Sequence, residues 1–331
     1  MIIKTFDQGW PLWFPLKQYE ENIVTNLTKH FATNTQRVVI INSVWYTDEM
    51  HESVTSWLKN NSWDQIVLVA MLDAAIPQPK LYKEFNRPVT GIGYYPGAGH
   101  VDFWALFVDH FLQTPDNDLL LDSTKINTAY MCLNRKPHWH RQQLYNQLQS
   151  LDLISKGIVS MGGDKQAVIS LAQDCEHDTL APNAGKDCHG IPNDIASLGH
   201  LNNWCSHLIN IVTETVYNIN QEYFVSEKIY KPIVGCRPFL VYNTDGATLW
   251  LRSRGFETYT QDFRDISDLD LAQPDNIPKF LVVLCEQTPA YWQKKFVDLQ
   301  DKILYNKFHF IDYAKQQKSI VEQGIHDNQN S

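Results

Sequence analysis

The sequence lacks any long apolar segment that could cross a membrane. A transmembrane helix needs about 20 consecutive, predominantly apolar residues, and no stretch of this chain is apolar over such a length. The first residues, MIIKTFD, contain no basic segment followed by an apolar one, which is the pattern of a secretory signal peptide. We therefore expect no membrane span and no secretion signal.

The chain also lacks an excess of basic residues and a dense set of cysteines. Its 28 Lys and Arg are outnumbered by 37 Asp and Glu, which gives a net charge of −9. No run of like charge forms a basic stripe, so a nucleic-acid partner is not expected. Six cysteines are too sparse for a disulfide framework and are typical of reduced thiols. These features predict a cytoplasmic protein.

Apolar and aromatic residues, by contrast, are plentiful. With 331 residues, of which 44% are apolar, the chain can bury one or two substantial cores. Aromatic residues make up 12% of the chain and include ten Trp. Most of these rings are expected in cores, although exposed rings of this kind also stack on sugars.

The first part of the chain has the pattern of a parallel sheet. Residues 37–42 (RVVIIN) and 66–71 (IVLVAM) predict buried strands, and residues 48–60 between them have helical spacing. Residues 89–95 predict a third strand that leads into a glycine-rich loop. A strand–helix–strand unit is typical of parallel α/β folds, so we predict an N-terminal α/β domain over residues 1–125.

A second α/β domain is predicted over residues 126–305. Strands are expected at residues 129–133, 157–160, 208–213 and 238–242, and helices at residues 141–151 and 227–234. Residues 290–323 predict an amphipathic helix, and the end of the chain, residues 306–331, is expected to return to the first domain. The predicted fold class is therefore α/β, with two Rossmann-like domains facing a cleft, as in the GT-B architecture.

Residues 223–232 (YFVSEKIYKP) carry the most informative motif. Glu227 and Lys228 lie at the start of a predicted helix, and an apolar strand follows. Helix N-termini attract phosphate, a lysine adds a point charge, and a glutamate accepts hydrogen bonds from sugar hydroxyls. The motif indicates a phosphorylated, hydroxyl-rich ligand such as a nucleotide sugar, with an exposed surface ion pair as the alternative.

The same motif resembles the donor-binding signature of α1,3-fucosyltransferases. That family has a Glu-Asn pair, a gap, and then Tyr-Val-Thr-Glu-Lys before a helix. Here Glu214 is followed by Thr215 in place of Asn, Phe224 is inserted after Tyr223, and Ser226 stands in place of Thr.

Two further segments extend the resemblance over residues 129–245 and beyond. CLNR at residues 132–135, followed by Arg141, resembles the family's Asn-Cys segment and the arginine that opens the next helix. LRSRGFETY at residues 251–259 is similar to a segment of uncharacterised glycosyltransferase-like proteins of phage and marine bacteria.

The resemblance implies a glycosyltransferase with a GDP-linked donor, with fucose as the leading sugar. It places the ribose on Glu227 and the diphosphate on Lys228, and it assigns neutralisation of the leaving diphosphate to Arg141. The remaining residues implied at the donor site are Arg135, Glu214, Tyr223 and Ser226. The transfer would invert the anomeric centre and need no metal and no cofactor. The acceptor would be a hydroxyl on a carbohydrate or another molecule.

Inverting transfer needs a base that takes the proton of the acceptor hydroxyl. Asp73 follows the strand predicted at residues 66–71, His100 and Asp102 follow the glycine-rich loop, and Asp48 follows the first strand, so these four are the candidates. Asp73 and Asp102 rank first, because a carboxylate at a strand end or loop of an α/β fold points towards the ligand crevice.

Two acidic triplets and one group of cysteines and histidines contain residue types that bind metals. Asp-x-Asp occurs at residues 116–118 and 268–270, but neither triplet follows a clear strand end, which favours turn or surface use. Cysteines and histidines at residues 175, 177, 188 and 189, with Cys205 and His207 nearby, match no standard zinc spacing. No metal site is predicted.

The alternatives to a glycosyltransferase are a non-catalytic nucleotide- or sugar-binding module and a nucleotide-sugar epimerase of the GT-B type.

Overall fold

The computed structural model divides the chain into two compact units. Unit 1 comprises residues 1–107 and 312–331, and unit 2 comprises residues 108–311. The structure describes residues 2–7, 28, 37–43, 48–70, 77–87, 89–93, 102, 105, 117–134, 137–162, 198, 201–214, 217, 225–243 and 246–323. Within this part of the chain, no helix has the length and apolar character needed to cross a membrane.

Unit 1 contains a four-stranded parallel sheet. Its strands are β1 (Ile2–Asp7), β2 (Val38–Ser43), β3 (Gln65–Ala70) and β4 (Val89–Gly93), and they lie in the order β1-β2-β3-β4. Helix α1 (Asp48–Asn60) joins β2 to β3, and α2 (Pro77–Phe85) joins β3 to β4. Parallel neighbours need such crossover helices, and the predicted strand–helix–strand unit is confirmed.

The core of unit 1 lies between the sheet and α1. Val54 and Leu58 are one helical turn apart on α1 and pack with Val39, Ile41 and Ile66 from the sheet. Strand β2 has four consecutive residues, Val38 to Ile41, that are fully inaccessible to solvent. Continuous burial of this kind is typical of a parallel strand covered on both faces.

Unit 2 contains a second four-stranded parallel sheet with a different strand order. Strands β5 (Thr128–Asn134), β6 (Ile158–Met161), β7 (His207–Val212) and β8 (Phe239–Val241) lie in the order β6-β5-β7-β8. The helices that precede or connect them are α3 (Asn117–Leu121), α4 (Trp139–Ser150), α5 (Leu201–Ser206) and α6 (Glu227–Val234).

This order creates a topological switch point between β5 and β7. From β5 the chain moves outwards to β6, and it then returns past β5 to add β7 and β8 on the other side. In open α/β sheets, ligands bind at such a point, outside the carboxyl ends of the two strands. The carboxyl ends of β5 and β7 are therefore where a binding site of unit 2 is expected.

Four helices complete unit 2 and lead back to unit 1. They are α7 (Gly246–Ser253), α8 (Ile277–Cys285), α9 (Pro289–Asp298) and α10 (Gln300–Gln323), and short 3₁₀ turns lie at Ser123–Lys125, Ile154–Lys156 and Pro274–Asn276. The single helix predicted over residues 290–323 is thus two helices, because the chain turns at Leu299. The first part of α10 belongs to unit 2, where the Phe310 ring stacks on Tyr230 at 4.3 Å.

Candidate functional site

The ends of β5 and β7 are tied together by buried polar side chains. Asn134 is the last residue of β5, and Thr213 directly follows β7; both are almost fully buried. The Thr213 hydroxyl donates a hydrogen bond to Asn134 Oδ1. This contact fixes the relative position of the two strand ends at the switch point.

Ser226 connects the end of β7 to the start of α6. Its backbone N–H donates to Glu214 Oε1 at 2.9 Å, and its hydroxyl donates to Glu214 Oε2. The same Oγ accepts a hydrogen bond from Lys228 N at 3.3 Å, so Ser226 is the N-cap of α6. Glu214 and Ser226 thus clamp the strand to the helix across a separation of twelve residues.

Glu227 and Lys228 form an ion pair in the first turn of α6. Lys228 Nζ contacts Glu227 Oε1 and lies 3.3 Å from Ser226 Oγ. Glu227 is buried, whereas the Lys228 side chain is 28% exposed. Part of the Lys228 side chain is therefore open to solvent at the helix N-terminus, where the free N–H groups favour anions.

The charge of Lys228 acts on two carboxylates, Glu214 and Glu227, whose pKa values shift in opposite directions. Burial raises the pKa of Glu214 to about 6, against the opposing effects of Lys228 and the Ser226 hydroxyl. Burial also acts to raise the pKa of Glu227, but the charge and hydrogen bond of Lys228 outweigh it and hold that pKa below its ordinary value. Near neutral pH both groups are ionised, so the site has an excess of hydrogen-bond acceptors.

Helix α4 supplies two buried basic side chains to the same strand end. Arg141 donates from one terminal nitrogen to Thr213 O at 3.1 Å and to Glu214 O at 2.9 Å. His140 Nε2 lies 2.9 Å from Glu214 O, and because a carbonyl only accepts, this nitrogen carries the proton. Burial lowers the pKa of both His140 and Arg141, so His140 is neutral near pH 7.

A row of aromatic rings lies beside the two basic residues. The Tyr217 ring is 5.0 Å from Trp139, 5.5 Å from His140 and 6.1 Å from Tyr242. Trp139 is 57% exposed. Rings with one open face offer a stacking surface for a base or a sugar at the edge of the site.

The structure brings five of the predicted donor-site residues together: Arg141, Glu214, Ser226, Glu227 and Lys228. Four other predicted site residues lie outside the described part of the chain: Asp73, His100, Arg135 and Tyr223. Their roles stay predictions.

Asp102, a predicted catalytic base, lies in unit 1, where it is hydrogen-bonded to Ala105 and to two residues of α10. Its Oδ1 accepts a hydrogen bond from Ala105 N, its Oδ2 accepts one from the Tyr313 hydroxyl, and each distance is 3.3 Å. Its backbone N–H donates to Gln317 Oε1 at 2.7 Å. These contacts attach Asp102 to α10, and its role as a base stays a prediction.

The acidic triplet at residues 268–270 is used in a turn. Asp270 Oδ1 accepts a hydrogen bond from Ala272 N at 3.1 Å, and the Asp268 carbonyl accepts one from Arg264. Asp116 and the cysteines and histidines at 175, 177, 188 and 189 lie outside the described residues. Among the residues that are described, no group of three or more His, Cys, Asp or Glu side chains is placed to hold a metal ion.

Sequence reasoning missed the supporting contacts of Asn134, Thr213 and Tyr217. The first two could have been found, because each is a polar residue at the carboxyl end of an apolar strand. Tyr217 has no such signal, since its position depends on packing against Trp139 and Tyr242.

Chemically, the assembled residues can bind a ligand that carries both hydroxyls and phosphate. Glu227 offers a carboxylate oxygen to hydroxyls, Lys228 offers an ammonium to phosphate, and the α6 N-terminus adds backbone donors. In the structure Lys228 is paired with Glu227, so an arriving phosphate would compete for the ammonium and leave Glu227 able to accept from a hydroxyl.

Comparison with family models, with curated proteins and with solved structures finds no match to this chain.

Proposed function

We propose that this protein is a glycosyltransferase that uses a nucleotide-diphosphate sugar. One observation carries the proposal: Glu214, Ser226, Glu227, Lys228 and Arg141 meet at the switch point of a parallel sheet. That is where α/β folds bind nucleotides, and the residue types suit a ribose next to a diphosphate. The donor-signature resemblance of these residues adds support.

In this proposal GDP is the nucleotide and fucose is the leading sugar. Lys228 binds the diphosphate, and Glu227 accepts hydrogen bonds from the ribose hydroxyls. Glu214 is already engaged by Ser226, so its role is to hold the N-terminus of α6 in place. Arg141 lies beside the backbone of Glu214 and adds positive potential for the departing diphosphate.

The proposed reaction is transfer to a hydroxyl with inversion. The acceptor oxygen forms a bond to the anomeric carbon as the bond from that carbon to the diphosphate oxygen breaks. The diphosphate leaves with the electron pair, and the hydroxyl proton passes to a base. Asp73, His100 and Asp102 are the proposed bases, and Lys228 with Arg141 would neutralise the leaving group without a metal.

We further propose that each unit is one Rossmann-like domain of the GT-B architecture and that the protein is cytoplasmic. In unit 2, the parallel sheet with its switch point supports a Rossmann-like domain. In unit 1, the support is the parallel sheet with crossover helices.

Isothermal titration with GDP, UDP, CMP and dTDP tests the proposed nucleotide. We expect GDP to bind most tightly, and we expect Lys228→Ala to weaken its binding by about 1–3 kcal/mol, or roughly 5- to 150-fold in Kd, because a charged hydrogen bond to phosphate is lost. Lys294→Ala is the matched control, since Lys294 also pairs with a neighbouring carboxylate, Asp298, but on α9.

Three results would separate the candidate functions. Equal GDP affinity in wild type and Lys228→Ala would remove the phosphate role of Lys228. Failure of all four nucleotides to bind would contradict the donor site itself. Tight GDP binding without hydrolysis or transfer of GDP-fucose, or of other GDP-sugars, would indicate a non-catalytic binding module.

A further inference from the structure

One face of α4 carries a stripe of amide side chains next to an exposed indole. An open concavity of about 520 Å³ lies on this face. Its lining residues are Trp139, Gln142, Gln143, Asn146, Gln147 and Ser150. They recur at spacings of three and four residues, so they share one side of the helix. We call this surface the α4 amide face. Its volume is within the roughly 300–1,000 Å³ typical of ligand sites.

The chemistry of this face suits a neutral molecule rich in hydroxyls. Each carboxamide both donates and accepts hydrogen bonds, as a sugar hydroxyl does. None of the six side chains is charged, so the face offers no ionic partner to an acidic polymer or to nucleic acid. Trp139 adds a flat apolar surface that is 57% exposed, and the C–H faces of sugar rings pack on such rings.

The amides are ordered, and one acceptor is unused. Gln142 Nε2 donates to Asn146 Oδ1 at 2.9 Å, which aligns two amides along the helix. Gln147 Oε1 is inaccessible to water and has no hydrogen-bond partner among the residues that the structure describes. A buried oxygen without a donor is costly, so a rotation of the Gln147 amide that turned Oε1 towards a hydroxyl bound in the concavity would supply the missing donor.

The face begins at the candidate donor site. Trp139 contacts the Tyr217 ring at 5.0 Å, and the next residue, His140, is hydrogen-bonded to the backbone of Glu214. From Trp139 to Ser150 the helix extends about 16 Å, which is a length suited to several sugar units rather than one. A chain bound along α4 would therefore place one end beside the donor site.

We propose that the α4 amide face binds a neutral oligosaccharide and holds it as the acceptor. Its role as an acceptor site rests on the proposed function; the binding of sugar does not. The acceptor class, which the donor-site residues leave open, would then be a neutral glycan. An acidic glycan, a peptide or a nucleic acid is not the expected occupant, because the face lacks charges and has a single large apolar side chain.

Binding to an array of immobilised neutral and acidic oligosaccharides tests this inference. We expect neutral oligosaccharides to bind, and we expect Trp139→Ala and Gln147→Leu each to weaken that binding at least tenfold. Phe308→Ala is the control, because Phe308 is an equally exposed aromatic residue, 62% accessible, on α10. It should bind as the wild type does.

Fluorine NMR of protein labelled with 5-fluorotryptophan gives a second readout. The Trp139 resonance is assigned by its loss in Trp139→Phe, and it should shift when the best neutral oligosaccharide of the array is titrated in solution. No neutral binder, binding of acidic glycans alone, or binding that Trp139→Ala leaves intact would each overturn the inference.

GDP titration separates this inference from the proposed function. If GDP binds through Lys228 and no neutral glycan binds, the acceptor inference fails alone. If a neutral glycan binds through Trp139 and no nucleotide binds, the donor proposal fails, and the α4 amide face remains a sugar-binding surface.

Discussion

At the scale of single residues, Ser226 has the most distinct structural task. Its hydroxyl donates to the buried Glu214 carboxylate and also caps α6 by accepting from Lys228 N. One small side chain thereby satisfies a buried acceptor and a free helix N–H. The sequence motif predicts that Ser226 lies at the donor site, and its hydrogen bonds show that it also holds the start of α6 to Glu214.

Two substitutions of Ser226 distinguish the effect of losing the hydroxyl from the effect of changing the size of the side chain. We expect Ser226→Ala to lower the free energy of unfolding by about 1–3 kcal/mol, because it removes an N-cap and leaves a Glu214 oxygen without its donor. Ser226→Thr keeps the hydroxyl and should lose less than half as much. Urea unfolding followed by circular dichroism measures both, and equal losses in the two variants would contradict this role.

Glu214 makes stability depend on pH in a defined direction. Burial raises its pKa from 4.5 to about 6, so the folded state holds this proton more tightly than the unfolded state does. The free energy of unfolding therefore falls as pH rises from 4.5 to about 6, by about 2 kcal/mol, and then levels off. Below this window the effect is absent, because the carboxyl is protonated in both states.

Glu214→Gln tests this dependence, because the variant keeps the shape and has no charge. The free energy of unfolding of the variant minus that of the wild type should increase by about 2 kcal/mol as the pH rises from about 4 to about 7.5. The difference between the two proteins cancels the contributions of titrating groups that do not interact with Glu214. A difference that is the same at both pH values would show that Glu214 does not titrate in this window.

At the scale of elements, α6 is held at both ends. Its start is clamped by Ser226, and its end at Gly235 packs against α5. A Cβ at Gly235 would lie 2.4 Å from Cε3 of the Trp204 ring, and this ring is buried, with its Nε1 donating to Leu198 O at 2.6 Å. The close approach of α6 to α5 therefore requires glycine at this position.

We expect Gly235→Ala to destabilise the protein by about 1–3 kcal/mol, because a fixed indole cannot move away from the added methyl group. Trp204→Leu alone should also destabilise, since it leaves a cavity. In the double variant the clash is absent, so the loss should be smaller than the sum of the two single losses. Chemical unfolding of the three variants measures this coupling, and strict additivity would contradict the packing argument.

At the scale of the whole molecule, periodicity predicted many elements correctly. The apolar runs near residues 38–43, 65–70 and 207–212 are strands, and helix α1 spans Asp48–Asn60 as its spacing predicts. The α/β class follows from such local patterns. The order β6-β5-β7-β8 does not, because it depends on pairings between strands that are distant in sequence.

The site was predictable only in part for the same physical reason. Glu227 and Lys228 are adjacent in the sequence, and a motif finds them. The Glu214–Ser226 clamp spans twelve residues, and Arg141 reaches Glu214 across seventy-three, so these contacts exist only once the sheet is assembled. Sequence reasoning therefore identified the residue types but could not determine their partners.

We propose, above all, that the N-terminus of α6 in unit 2 binds the diphosphate of a nucleotide sugar. A crystal structure with GDP tests it most directly. We predict phosphate oxygens within hydrogen-bond distance of Lys228 Nζ, at roughly 2.7–3.0 Å, and ribose hydroxyls on the Glu227 carboxylate. A nucleotide bound elsewhere on the protein, with the Lys228–Glu227 pair unchanged, would contradict the claim.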